Sequence, residues 1–225
     1  MLRSACRQAS EWRLRHPAKA ITVALNLSVR QLHEPGIVDA VQQVLTETSL
    51  DPAALVLEVT EGTLTEDLDV GRTLQRLRDS GVAVAIDDFG TGYSSLARLR
   101  DLPVDQLKLD KSFLADLDDD GAAPVAAAAV ALAHGLGLSV VAEGVETEQQ
   151  LAFVRRHDCD FAQGFLLHRP GSAAAVDHLL SVENAWLPGP RDGVRDSLQV
   201  APSAPPASMA SHREADGGRA AQQHH

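Results

Sequence analysis

The 225-residue chain is acidic, with 31 Asp and Glu against 20 Lys and Arg and a formal net charge of -11. That balance argues against nonspecific binding to nucleic-acid polymers or to anionic membrane surfaces. Hydrophobic residues make up 44% of the chain and aromatics only 4%, so a core must be built from Val, Leu, Ala and Ile. Cys6 and Cys159 have neither CxxC nor Cys/His spacing, which excludes a zinc pattern or a disulfide framework and fits reduced thiols in a cytoplasmic protein.

Residues 2–15 read as a helix ended by His16-Pro17, and no apolar signal-peptide core follows Met1. Short β-like runs then alternate with amphipathic or alanine-rich segments. Strands are predicted over 21–27, 55–60, 82–86, 106–109, 139–142 and 161–165, with helices over 37–46, 68–78, 125–134 and 148–156. Turn signals fall between them at Asp51-Pro52, Ser80-Gly81, Leu102-Pro103 and Gly135-Leu136-Gly137. The most apolar stretch, 125–142, is mostly alanine and is broken by His134, Gly135 and Gly137, so no membrane-spanning segment is expected. From Glu183 onward Pro188, Pro190, Pro202, Pro205 and Pro206 lie among Ala, Ser, Gly and Gln with no apolar period. The expected organisation is one folded domain over 1–183 and a disordered tail over 184–225.

Alternation of strand and helix at this spacing implies a parallel sheet with right-handed crossovers. Polar residues choose between two such architectures, because nearly every strand ends in one. Asn26, Glu58, Glu61, Asp87, Asp88, Lys108, Asp110, Glu143 and Gln163 all lie on or just after strands. Functional groups drawn from the C-terminal ends of many strands are the habit of a (β/α)8 barrel, whereas a doubly wound sheet gathers them at one switch point. A complete barrel has roughly eight strands, so the strands read here form a partial TIM-like barrel lacking about two at the N-terminal side.

Asp87-Asp88 is the most informative pair. It follows the continuous apolar run Val82-Ala83-Val84-Ala85-Ile86, which reads as a buried strand. Adjacent carboxylates at a buried strand end call for a cation, and oxygen ligands suit Mg²⁺ or Mn²⁺. Asn26, Glu58, Asp87, Asp88 and Glu143 could together hold two divalent ions about 3.5–4 Å apart, an arrangement suited to in-line phosphodiester hydrolysis. Lys108 adds a positive charge able to orient water or neutralise phosphate. Each residue also has a plainer reading. Asn26 could cap a turn, Glu58 and Glu61 could be acids at helix N-termini, Lys108 could pair with Asp110, and Glu146 could be an exposed acid opening a helix. Their coincidence at strand ends outweighs those separate readings.

Asn26-Leu27-Ser28, Glu58-Val59-Thr60-Glu61 and Asp87-Asp88-Phe89-Gly90-Thr91-Gly92-Tyr93-Ser94-Ser95 resemble, in order and spacing, motifs of the EAL domain family. Leu107-Lys108-Leu109-Asp110, Ala142-Glu143-Gly144-Val145-Glu146 and Ala162-Gln163-Gly164 extend the resemblance, which runs from about Leu2 to about Pro170. It implies a modified (β/α)8 barrel that opens cyclic di-GMP to linear pGpG with Mg²⁺ or Mn²⁺. By the same resemblance Asn26, Glu58, Asp87 and Asp88 are metal ligands and Lys108 positions the nucleophilic water. Glu143 is a general base or a further ligand, Glu61 braces the loop after Asp88, and Gln163 lines the substrate site. A homodimer and an upstream sensor or diguanylate cyclase domain are left open.

The chain departs from the family in lacking the Glu-Ala-Leu tripeptide, whose glutamate is a metal ligand in the family. Either the reading frame starts upstream of Met1 or the barrel is truncated, and the expectation for the chain as written is little or no turnover. The alternative function is a noncatalytic module that binds cyclic di-GMP or a protein. An unrelated metal-dependent barrel acting on another ester is disfavoured by the ordered motif set.

Overall fold

The computed structural model describes residues 1–63, 68–90, 99–115, 117, 122–182 and 199–200. Its strands are β1 (Thr22–Asn26), β2 (Leu55–Thr60), β3 (Ala83–Phe89), β4 (Gln106–Leu109), β5 (Ser139–Ala142), β6 (Phe161–Ala162) and β7 (Gln199–Val200). The helices are α1 (Leu2–Arg15), α2 (Val29–Leu32), α3 (Ile37–Thr48), α4 (Leu68–Asp79), α5 (Ser112–Ala115), α6 (Ala122–Gly135), α7 (Glu148–Arg156) and α8 (Ala173–Ser181). The strands lie in the order β6-β5-β4-β3-β2-β1-β7 and every pair is parallel, so β1 to β6 form the expected half-barrel.

Strand alternation gives the sheet two unlike faces. Val23, Leu25, Leu57, Val59, Val84, Ile86, Leu107 and Leu109 share one core with Val41 and Leu45 of α3 and with Val70, Leu74 and Leu77 of α4. The opposite, concave face begins with a small separate cluster of Ala24, Val56 and Ala85. Two residues further along the same strands stand Asn26, Glu58 and Asp87. The apolar floor and the polar mouth are thus one set of positions read up the sheet, as in the layered interior of a barrel.

The N-terminal ends of the strands are tied by carboxylates. Asp105 receives two hydrogen bonds from Arg78 Nε at 3.0 and 3.1 Å, one from Arg78 Nη2 at 2.7 Å and one from the Val84 amide at 2.9 Å. Asp160 repeats the device, accepting the Val140 amide at 2.8 Å beside His134 Nε2 at 3.0 Å. Such contacts at the face opposite the site serve stability.

The structure refines the sequence reading along the chain. β3 does not end at Ile86 but runs through both aspartates to Phe89. β6 stops at Ala162 instead of 165, because Leu167 N and His168 N turn back to the Gly164 carbonyl at 3.1 Å each. Helix α8 was not anticipated, although Ser172 caps it by accepting the Ala175 amide at 3.3 Å. Trp12 and Ile21 pack against Val176 and Leu180 of α8, and Arg15 pairs with Asp177, so the ends of the domain meet. Most of the expected tail, 184–225, lies outside the described residues; within it Gln199 pairs with Thr22 and Val200 with Val23. An open strand edge offers unpaired amides and carbonyls, which accounts for that pairing.

Candidate metal and phosphodiester site

Lys108 is the centre of the site. Its ammonium lies 2.8 Å from Glu58 Oε1, 2.6 Å from Asp87 Oδ1 and 2.8 Å from Glu143 Oε1. These groups come from β2, β3 and the residue after β5, with Lys108 on β4. The plainer alternative, a Lys108–Asp110 pair, is not the one formed: Asp110 instead accepts the Ser112 amide at 2.9 Å, opening α5. Lys108 is only 3% exposed and Glu58 2%, so both charges are held out of water.

Alternation along a strand would send Asp87 and Asp88 to opposite faces. A bulge prevents this. Ile86 pairs with Leu107 but Phe89 pairs with Leu109, with a register shift between them, and Asp88 adopts φ 55° in the left-handed region. Asp is among the few residues that tolerate that conformation, and bulges serve to re-aim side chains beside functional sites. As a result one carboxylate oxygen each from Asp87, Asp88 and Glu143 lie within 4.8 Å of one another.

Four carboxylates facing one lysine leave surplus negative charge, and the acid strengths reflect it. Burial pushes Glu58 and Glu143 above the ordinary carboxylate range, more than Lys108 pulls them down. Asp88 is also raised, by burial and then by Asp87 and Asp110. For Lys108 burial opposes the charged form, but the charges of Glu58 and Glu143 and the hydrogen bond to Asp87 prevail and hold it above the usual lysine range. Lys108 is therefore a fixed cation at neutral pH.

The residues fit a hard divalent cation. All candidate donors are oxygens, three of them already converge, and Glu58 Oε1 is fully buried with no well-directed hydrogen bond, its contact with Lys108 being ionic. Asn26 is level with Glu58 in the β1–β2 register and is exposed. Glu61 is buried and accepts the Gly90 amide at 3.0 Å, which ties the end of β2 to the turn after Asp88. The segment that follows, residues 91–98, lies outside the described residues. Glu146 is exposed and precedes the N-cap Thr147 of α7, as the plainer reading had it.

Gln163 and Glu143 are held together by a close backbone approach that sequence reasoning missed. Val145 N donates to the Gln163 carbonyl and Leu166 N to the Val145 carbonyl, each at 3.0 Å. A Cβ at Gly164 would stand 2.1 Å from the Val145 carbonyl oxygen, so only glycine fits. The only sequence signal was the glycine itself after Gln163. The buried Gln163 Oε1 has no hydrogen-bond partner among the described residues.

Residues 1–170 match the EAL domain family, and the chain belongs to it. It is 47% identical over 173 residues to the bifunctional diguanylate cyclase/cyclic di-GMP phosphodiesterase MucR of Pseudomonas aeruginosa, covering 76% of this chain and 25% of MucR. It is 44% identical over 182 residues to the cyclic di-GMP phosphodiesterase NbdA of the same species, covering 80% of this chain and 23% of NbdA. The chain thus spans about a quarter of the length of these curated relatives. Among solved structures, the EAL domain of Mycobacterium smegmatis DcpA superposes with a TM-score of 0.76 at 42% identity, over 83% of this chain and 84% of that one. The MucR phosphodiesterase in complex with cyclic di-GMP gives a TM-score of 0.72 at 45% identity, over 78% of this chain and 71% of that one. Among the described residues no helix is long and apolar enough to cross a membrane.

Proposed function

We propose that this chain supplies most of the catalytic site of a cyclic di-GMP phosphodiesterase, within a folded unit over 1–183. The observation that carries the reading is the convergence of Glu58, Asp87 and Glu143 on Lys108, with Asp88 alongside, at one end of the half-barrel. Asn26, Glu58, Asp87 and Asp88 would hold Mg²⁺ or Mn²⁺, with Glu143 beside them. Bound there, the metal supplies Lewis-acid activation of water and stabilisation of the leaving oxygen.

The chain's own groups do the remainder. Lys108 stays protonated among its carboxylates, so it acts as a cation that orients water or screens phosphate and not as a base. Glu143, less buried than Glu58 and raised in its proton affinity, is the group suited to accept a proton from the attacking water. Glu61, by holding the Gly90 amide, fixes the turn that aims Asp88. Gln163, whose carbonyl accepts the Val145 amide just after Glu143, would line the substrate site. Opening one phosphodiester bond adds one water: hydroxide attacks phosphorus, the 3′ oxygen leaves with a proton, and linear pGpG results.

A second reading is a noncatalytic cyclic di-GMP-binding module. One assay separates the two. The chain and a version extended at its N-terminus with the first barrel strands of MucR are incubated with cyclic di-GMP and Mn²⁺, and pGpG is followed by chromatography. The extended protein is expected to hydrolyse, to lose turnover in Asp87→Asn, and to keep it in Arg76→Ala, an exposed control paired loosely with Asp39 at 4.0 Å. Binding without turnover in the extended protein would favour the second reading. Full turnover by Asp87→Asn would overturn the site assignment.

A further inference from the structure

We propose that Phe113 is a positioning residue for the metal site: its ring is wedged against Gly90 and fixes the turn that aims Asp88. The inference rests on the metal-site reading above and adds what holds one of its carboxylates in place. Gly90 follows the bulge and has φ 101°. A Cβ there would stand 2.1 Å from Cε2 and 2.4 Å from Cζ of Phe113, and the three heavy atoms nearest to that position all belong to the Phe113 ring. Phe113 is half-buried and packs against the main core, so it is anchored below and pressed on the turn above. Glu61 holds the amide of Gly90 at 3.0 Å, and Phe113 blocks the α-carbon of the same residue.

The turn needs such a restraint. Asp88 sits at φ 55° with the like charges of Asp87 and Asp110 nearby, so neither its backbone preference nor electrostatics keeps it in place before a metal binds. The segment that carries Phe113 is itself fixed. Phe113 N donates to the Asp110 carbonyl at 3.0 Å and Leu114 N to the Lys111 carbonyl at 2.9 Å. The Leu114 carbonyl accepts Gln150 Nε2 at 2.9 Å, and Gln150 Oε1 accepts the amides of Glu146 and Thr147 at 2.7 and 3.0 Å. On the other side, a Cβ at Gly144, the residue after Glu143, would stand 2.4 Å from Lys111 Cβ. The stretch 110–114 thus touches the turn after Asp88 through Phe113 and the turn after Glu143 through Lys111. Two of the three converging carboxylates rest on one strut that leaves β4. Packing behind a ligand is what holds the ligand's geometry.

The test needs no turnover and separates positioning from plain packing. Phe113→Ala is compared with the wild-type chain and with Leu45→Ala, a buried residue of α3. Melting is followed in EDTA, Mn²⁺ binding by electron paramagnetic resonance of the free ion, and amide exchange by nuclear magnetic resonance. Both variants are expected to melt below the wild type. Only Phe113→Ala is expected to lose Mn²⁺ affinity, by about tenfold or more. It should also speed exchange of the Gly90 amide severalfold in EDTA, while the Val145 amide, which donates to Gln163, keeps its rate. Phe113→Met, which refills the space with a flexible apolar side chain, is expected to recover most of both losses.

A folded Phe113→Ala that binds Mn²⁺ as the wild type does, or that leaves Gly90 exchange unchanged, would overturn the proposal. If Phe113→Ala does not fold, Phe113→Leu carries the same comparison. The wild type alone gives a further reading. Its Gly90 amide is expected to be as protected in EDTA as in saturating Mn²⁺, because packing and not the metal sets the turn. Protection that arises only with Mn²⁺ would mean that the metal orders the turn, and the role of Phe113 would be lost. A wild type that takes up no Mn²⁺ would instead sink the metal-site reading itself, and the proposal would fall with it whatever Gly90 does.

Discussion

Replacing Gly164 by alanine should separate the two loops that carry Glu143 and Gln163. The added Cβ would lie 2.1 Å from the Val145 carbonyl oxygen and 2.3 Å from Val145 N, both backbone atoms that no rotamer change can move. Relief requires a backbone displacement of about an ångström, which overpacked sites resist at roughly 1–3 kcal/mol. That movement stretches the Val145 N to Gln163 O and Leu166 N to Val145 O hydrogen bonds, both 3.0 Å long. Leaving one buried partner unsatisfied adds about 1–3 kcal/mol, so a total near 3 kcal/mol is expected. For a domain of this size that lowers the melting temperature by about 6–12 °C. Scanning calorimetry or circular dichroism in EDTA reads the shift directly, and Gly71→Ala, in open space on α4, is the matched control. A Gly164→Ala protein melting within about 1 °C of wild type would show that these loops do not meet as described.

Two further outcomes concern the opposite end of the sheet and the thiols. Asp105→Ala strips Arg78 of its bidentate partner and leaves the Val84 amide unpaired, and should cost about 2–3 kcal/mol in urea unfolding, whereas the exposed Asp101→Ala should stay within about 0.5 kcal/mol. Burial pushes the Cys6 thiol up to about 11 and, joined by Asp160, the Cys159 thiol to about 12, so neither should react with a disulfide reagent at pH 8 until urea is added. Reaction of either thiol in the native protein would mean that its covering helix opens readily.

The repeating apolar runs and their turn signals were enough to place β1 to β5 and the longer helices, because burial on both faces of a parallel strand writes a continuous apolar segment. The same alternation put Asn26, Glu58, Asp87, Lys108 and Glu143 at strand ends, and their order and spacing marked the EAL family. What the sequence could not supply was contact across strands. Lys108 and Asp110 are two residues apart and looked like a pair, yet the sheet brings Lys108 to Glu58, Asp87 and Glu143, which lie 50, 21 and 35 positions away by their numbers. Which face Asp88 takes depends on one backbone angle in a bulge, and that bulge exists only against β4. The necessity of Gly164 is likewise written in Val145, a neighbour across β5 and β6 and not along the chain. Local periodicity decided the elements of this protein. Register, bulge and close approach are properties of paired strands, and only the assembled sheet decided them.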